Sequence, residues 1–317
     1  MTTVSPVLVV SIDGVAPRHV TRTTMPTLTT LAREGASCFR SRAVSPPWTL
    51  PVHTTMFRGI DPSTHAIVDN TPVEPATDAP SFLKHARDAG RSTAAFLNWL
   101  PLDHVLERDA AERRFVIDGG YGPHDDRRSV DAALDALAEG VHDLVFVYLS
   151  QPDADGHRFG WDSPEYLDAA GRSDTELGRL LDAVGPDSRV LVTTDHGGFE
   201  KNHADEIPEV LETFIVVRSP GRVPPASVWD LVITSRMAEI IDGCKPSVGS
   251  SSNNIFGSVH RARAVASICC SPPDKVCARS VTAVACVQRL QFNGSSALVQ
   301  LHAHPANRFI RVKGVAN

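Results

Sequence analysis

No stretch of this sequence approaches the roughly 18 consecutive apolar residues that a membrane-spanning helix requires. The first fifteen residues also lack the basic flank and small-residue cleavage site of a secretory leader. These two absences lead to the expectation of a cytoplasmic protein with no membrane partner. An excess of basic charge is missing too. The chain carries 31 Lys+Arg against 37 Asp+Glu, a net charge of −6, which argues against a nucleic-acid polymer as partner. There is no internal repeat and no low-complexity block, and hydrophobic residues make up 42% of 317 residues, enough for a large core.

Acidic residues become scarce towards the end. Residues 1–230 hold 21 Lys+Arg and 34 Asp+Glu, whereas residues 231–317 hold 10 and 3. Five of the six cysteines (Cys244, Cys269, Cys270, Cys277 and Cys286) fall in that second segment without the paired C-x2-C spacing of a zinc site. Disulfides would be unusual in a cytoplasmic protein, so these cysteines are read as incidental. The division expected is a catalytic domain over 1–230 and an atypical tail over 231–317. The tail has no clear periodicity, resembles the product of an altered reading frame, and is expected to be loosely packed or disordered.

What is present up to about residue 225 is alternation. Val7–Ile12, Thr93–Leu97, Leu144–Leu149, Val190–Thr194 and Thr213–Val217 are short, almost wholly apolar runs, as strands covered on both faces are. Between them, Ser163 and Pro164 give a helix start, followed by Leu177, Leu180, Leu181 and Val184 at helical spacing. Ala132 to Ala138 reads as another helix ending at Gly140. The fold class expected is α/β, a largely parallel central sheet with helices on both faces, in which ligands gather at the carboxyl ends of the strands.

Four segments put chemistry near those ends. Asp13 follows the first strand, although Asp-Gly is also an ordinary turn. Thr49 sits in the proline-framed loop Pro46-Pro47-Trp48-Thr49-Leu50-Pro51-Val52-His53, where it could equally cap a helix. Asp153 and His157 stand four apart, a spacing that one helical turn or a tight loop brings onto one metal, with Asp155 between them. Asp195-His196-Gly197-Gly198 ends a strand, and His203 follows. Imidazole and carboxylate ligands suit zinc or a similar divalent ion.

In this order the motifs resemble the type I phosphodiesterase/nucleotide pyrophosphatase branch of the alkaline phosphatase superfamily. That branch carries T-x-P-x-H, then T-G-x-x-P-x-x-H-G-I-x-x-N, then E-P-D-x-x-G-H and D-H-G-G. Here these stand as Thr49 to His53, Phe57 to Asn70, Gln151 to His157 and Asp195 to Gly198. Alanine at 66 and arginine at 58 depart from the pattern.

The resemblance implies two divalent ions, zinc by expectation, and Thr49 as a nucleophile that becomes phosphorylated by a small phosphate-ester substrate. Asp153, His157 and His203 would hold one ion. Asp13, Asp195, His196 and the Thr49 oxygen would hold the other. Asn70 would hydrogen-bond a phosphoryl oxygen. His302 and His304 are rivals to His203. Trp48, Trp99 and Phe57 are candidates for the pocket wall, with core packing the plainer role for Trp99.

Three alternatives stand beside this reading. A sulfatase would need a Cys or Ser and an Arg in C/S-x-P-S-R, which the Thr49 loop lacks. A phosphomutase would need an inserted cap domain, for which the stretch between Asn70 and Ser163 leaves little room. An inactive relic would be explained by the altered tail.

Overall fold

The computed structural model describes residues 5–118, 122–219, 286–292, 295–301 and 312–315. It divides into two compact units, Met1–Ala262 and Arg263–Asn317. The first unit opens with β1 (Val7–Ile12), α1 (Pro26–Glu34), β2 (Ala36–Arg42), α2 (Thr49–Arg58), α3 (Pro62–His65) and α4 (Phe82–Asp88). It continues with β3 (Thr93–Leu97), α5 (Pro101–His104), β4 (Arg113–Val116), α6 (Asp125–Glu139) and β5 (Leu144–Leu149). The last described elements of this unit are α7 (Gln151–Phe159), α8 (Pro164–Val184), β6 (Arg189–Thr193), α9 (Pro208–Leu211) and β7 (Glu212–Arg218).

Seven strands form one sheet in the order β2-β7-β6-β1-β5-β3-β4. The pairs β6–β1, β1–β5, β5–β3 and β3–β4 are parallel, while β7 runs antiparallel to both β6 and β2. Alternate side chains of each strand point to opposite faces. Val7, Val9, Leu144, Phe146 and Tyr148 pack with Leu50 and Phe57 of α2 and Phe82 of α4 on one face. Leu8, Val10, Ile12, Val145, Val147 and Leu149 pack with Leu28 of α1, Val130 of α6 and Leu177 of α8 on the other. The expected α/β class and two-sided cover are therefore what the chain adopts.

Three of the five expected strands have the expected limits, β6 is shifted by one residue, and β7 extends one residue further at each end. Two edge strands were not foreseen. β2 reads Ala-Ser-Cys-Phe-Arg-Ser-Arg and β4 reads Arg-Arg-Phe-Val. Edge strands tolerate charge on their open side, so neither shows an apolar run. The helix expected around Ala132–Ala138 begins earlier, at Asp125, because two acidic residues occupy its first turn. It ends at Gly140 in the left-handed conformation, as expected.

In the second unit, β8 (Cys286–Phe292), β9 (Ser295–Leu301) and β10 (Val312–Val315) form an antiparallel sheet in the order β10-β9-β8. The rest of the expected tail, with His302 and His304, lies outside the described residues.

Candidate functional site

The three central strands β6, β1 and β5 deliver most of the site from adjacent carboxyl ends. Asp13 follows β1, Asp195 and His196 follow β6, and Asp153 and His157 lie one turn apart on α7, directly after β5. Thr49 opens α2. The N-cap position belongs to Trp48, so Thr49 is the first helical residue and not a cap. Its Oγ1 lies 3.5 Å from His196 Nε2. Leu50 N donates to Asn70 Oδ1 at 2.9 Å, which holds the Asn70 amide beside the amino end of α2.

The ligand-type atoms form two groups, Asp13 with Asp195 and His196, and Asp153 with His196 and His203. His196 Nε2 is 3.3 Å from Asp13 Oδ1 and 3.4 Å from Asp195 Oδ2. Asp153 Oδ1 is 3.5 Å from His157 Nε2 and 3.8 Å from His203 Nε2. Asp13, Asp153, Asp195, His196 and His203 thus come together, and His157 reaches the second group through Asp153. Asp155 joins neither group and instead pairs with Arg172 at 2.9 Å.

The hydrogen bonds around these groups settle which atoms are free. His157 Nδ1 faces Lys201 O at 3.0 Å, His196 Nδ1 faces Gly197 O at 2.8 Å, and His203 Nδ1 faces Pro47 O at 3.0 Å. A carbonyl only accepts, so each ring carries its proton on Nδ1 and presents the Nε2 lone pair. The carboxylates are divided likewise. Asp13 Oδ2 accepts from the Tyr148 hydroxyl, and Asp195 Oδ1 accepts from Gly14 N and His196 N. Their other oxygens, Asp13 Oδ1 and Asp195 Oδ2, are buried without a hydrogen-bond partner, as is Asp153 Oδ1. Acceptor thus faces acceptor in both groups, and a divalent cation resolves that arrangement. The donor set fits one cation per group.

Electrostatics agree. Burial, then the neighbouring charges of Asp195 and Asp153, push the Asp13 carboxyl well above the usual range, and burial likewise raises Asp195. Burial and the adjacent His203 hold His196 well below its ordinary value, so it stays neutral and able to ligate.

The wall expected from aromatics is corrected in part. Phe57 is fully buried and packs edge-on against Phe146, and Trp99 is buried in the same core cluster, so neither borders the site. Trp48 is half-buried and meets the His203 ring edge-on at 5.9 Å. Sequence patterns did not point to Tyr148 as a partner of Asp13. The one available signal was a phenol inside an otherwise apolar strand.

The sequence model of the type I phosphodiesterase / nucleotide pyrophosphatase family matches residues 7–238. Human ectonucleotide pyrophosphatase/phosphodiesterase family member 7 is 24% identical over 221 residues, covering 60% of this chain and 47% of that protein. Human family member 1 is 26% identical over 220 residues, 61% of this chain and 23% of that protein. The chain thus spans half or less of these relatives' length. Among solved structures, an inactive threonine-to-alanine form of murine ectonucleotide pyrophosphatase / phosphodiesterase 5 in complex with AMP superimposes with a TM-score of 0.53. It is 22% identical, and the match covers 61% of this chain and 57% of that one.

Proposed function

Because the chain belongs to the type I phosphodiesterase/nucleotide pyrophosphatase family, we propose that it hydrolyses small phosphate esters at a two-metal site with Thr49 as nucleophile. The observation that carries this reading is the set of three orphaned buried carboxylate oxygens facing the Nε2 lone pairs of His157, His196 and His203, with the Thr49 hydroxyl 3.5 Å from His196.

Asp153, His157 and His203 would hold one ion, and Asp13, Asp195 and His196 the other, both zinc by the mixed oxygen and nitrogen donors. When bound, the pair neutralises charge on the attacking and leaving oxygens of an in-line displacement. The chain's own groups do the rest. Thr49 Oγ1 bonds to phosphorus as the ester oxygen departs with its electron pair, and the hydroxyl proton passes to solvent. Water then attacks the phosphothreonine and frees Thr49. The amino end of α2, where Thr49 sits, favours an anionic group. Asn70 spends its oxygen on Leu50 N, which leaves its amide to donate to a phosphoryl oxygen. The AMP held by the murine relative supports nucleotide esters as the substrate class.

The test pairs elemental analysis with turnover of bis(4-nitrophenyl) phosphate and of a 4-nitrophenyl nucleoside phosphate. About two zinc ions per chain, with activity lost on chelation, are expected. Less than about one ion per chain after growth with added zinc would refute the reading.

A further inference from the structure

Trp161 follows α7 through Gly160 and is fully buried, yet the proposed reaction gives it no role. Its indole Nε1–H donates to Gly14 O at 2.7 Å, on the turn immediately after Asp13. A Cβ at Gly198, two residues after His196, would lie 2.1 Å from Trp161 Cε2. A Cβ at Gly156, between Asp153 and His157, would lie 2.8 Å from Cδ2 and Cε2. The His157 ring meets the indole edge-on at 5.1 Å between centroids, and the His203 ring does so at 6.0 Å. The main-chain N–H of Trp161 donates to Glu200 O at 2.8 Å, in the loop that leads to His203. Glu200 itself has a φ of 51°, a left-handed conformation that a non-glycine residue holds only when its surroundings impose it.

One side chain therefore touches the segments that carry Asp13, Asp153, His157, His196 and His203. Gly14 O accepts a second bond from the Tyr166 hydroxyl at 3.0 Å, so the turn after Asp13 is held from two directions. Close packing of glycine backbone on an indole leaves no slack, and a small change in its thickness moves whole segments.

We propose that Trp161 is a positioning residue that sets the spacing between the two ligand groups, and through it the affinity for both ions. The proposal rests on the two-metal reading. Phenylalanine at this position would remove the bond to Gly14 O and leave a gap at Gly198. The two groups would then relax relative to each other while keeping every ligand.

The experiment measures zinc affinity by chelator competition, together with kcat, KM and Tm. It compares wild type, Trp161→Phe, Tyr166→Phe and Trp99→Phe, the last a buried tryptophan that touches no ligand. Trp161→Phe is expected to bind zinc at least tenfold more weakly and to lose kcat, with KM changed less than about threefold. Tyr166→Phe, which removes only one hydroxyl, should move affinity the same way by a smaller factor, and it carries the test if Trp161→Phe does not fold. Trp99→Phe should lower Tm with affinity unchanged. Wild-type affinity in both Trp161→Phe and Tyr166→Phe overturns the proposal, as does an equal loss of affinity in Trp99→Phe. If wild type takes up two ions and these results follow, only the role of Trp161 falls. If wild type takes up none, the two-metal reading falls and this proposal with it.

Discussion

The imidazoles of His196 and His203 lie face to face, 3.8 Å between centroids and 14° from parallel. Each turns its Nε2 to a different carboxylate, His196 to Asp13 and Asp195, His203 to Asp153. The stack is the seam between the two ligand groups, and two rings so close cannot both be charged. Burial lowers the pKa of each; the charge of His203 lowers that of His196 further, whereas the Asp153 carboxylate pulls that of His203 partly back up. His203→Ala is expected to retain about one zinc where wild type holds two, by elemental analysis. Retention of both would reassign the ligand to a histidine outside the described residues, His302 or His304.

Thr49→Ala removes the hydroxyl at the first position of α2 and leaves every carboxylate and imidazole in place. Its zinc content should match wild type within error. Its kcat should fall by about 10³ or more, as expected on loss of a nucleophile. Activity within tenfold of wild type would remove Thr49 from the chemistry.

Asp13, Asp195 and His196 were legible because a candidate ligand at a strand end leaves a local signature, an apolar run followed by Asp or Asp-His. The spacing of Asp153 and His157 was legible for the same reason, since one helical turn is a property of neighbouring residues. Trp161 and Asp126 were not. Asp126 lies near the start of α6 yet accepts hydrogen bonds from Asn98, Ser150 N, Gln151 N and Ser173, partners that only the folded sheet brings together. Arg58, a departure from the family pattern, is explained by the structure. It is nearly buried, pairs with Glu107 at 2.7 Å and donates to the carbonyl of Val105 at 3.0 Å.

Ala66, the other departure, has a φ of 61° at the C-cap of α3 and is exposed. A side chain in the left-handed region costs about 1–2 kcal/mol relative to glycine, partly offset by the greater freedom of glycine in the unfolded chain. Ala66→Gly should raise stability by about 0.5–1 kcal/mol in denaturant unfolding, with unchanged slope. A destabilised variant would show that the methyl group makes a contact worth more than the strain.

Burial raises the Asp126 carboxyl from 3.8 to about 6, against the pull of its four donors. The folded chain therefore holds this proton more tightly than the unfolded chain. The resulting stabilisation is complete below pH 3.8 and is lost as pH rises through 6. Asp126→Asn keeps the shape, since the amide oxygen can accept from Asn98, Ser150 and Gln151 and the amide nitrogen can donate to the Ser173 hydroxyl. In zinc-loaded protein the Tm of the variant minus that of wild type should be small near pH 4. It should grow to several degrees by pH 7, equivalent to roughly 2–3 kcal/mol at 1.36 kcal/mol per unit. A difference independent of pH would mean that the carboxylate is not strained by its burial.

Of the seven described strands in this sheet, the middle one is made first and is among the last to be completed. Val7 pairs with Leu144 on one side and with Arg189 on the other. During synthesis, the segment Val-Leu-Val-Val-Ser-Ile therefore leaves the ribosome long before either neighbour exists. Partners this distant in sequence make closure slow and leave an apolar, hydrogen-bond-hungry strand open to other chains in the interval. Yield in cells should thus depend on chaperone supply and on growth temperature more steeply than the stability of the finished protein would indicate.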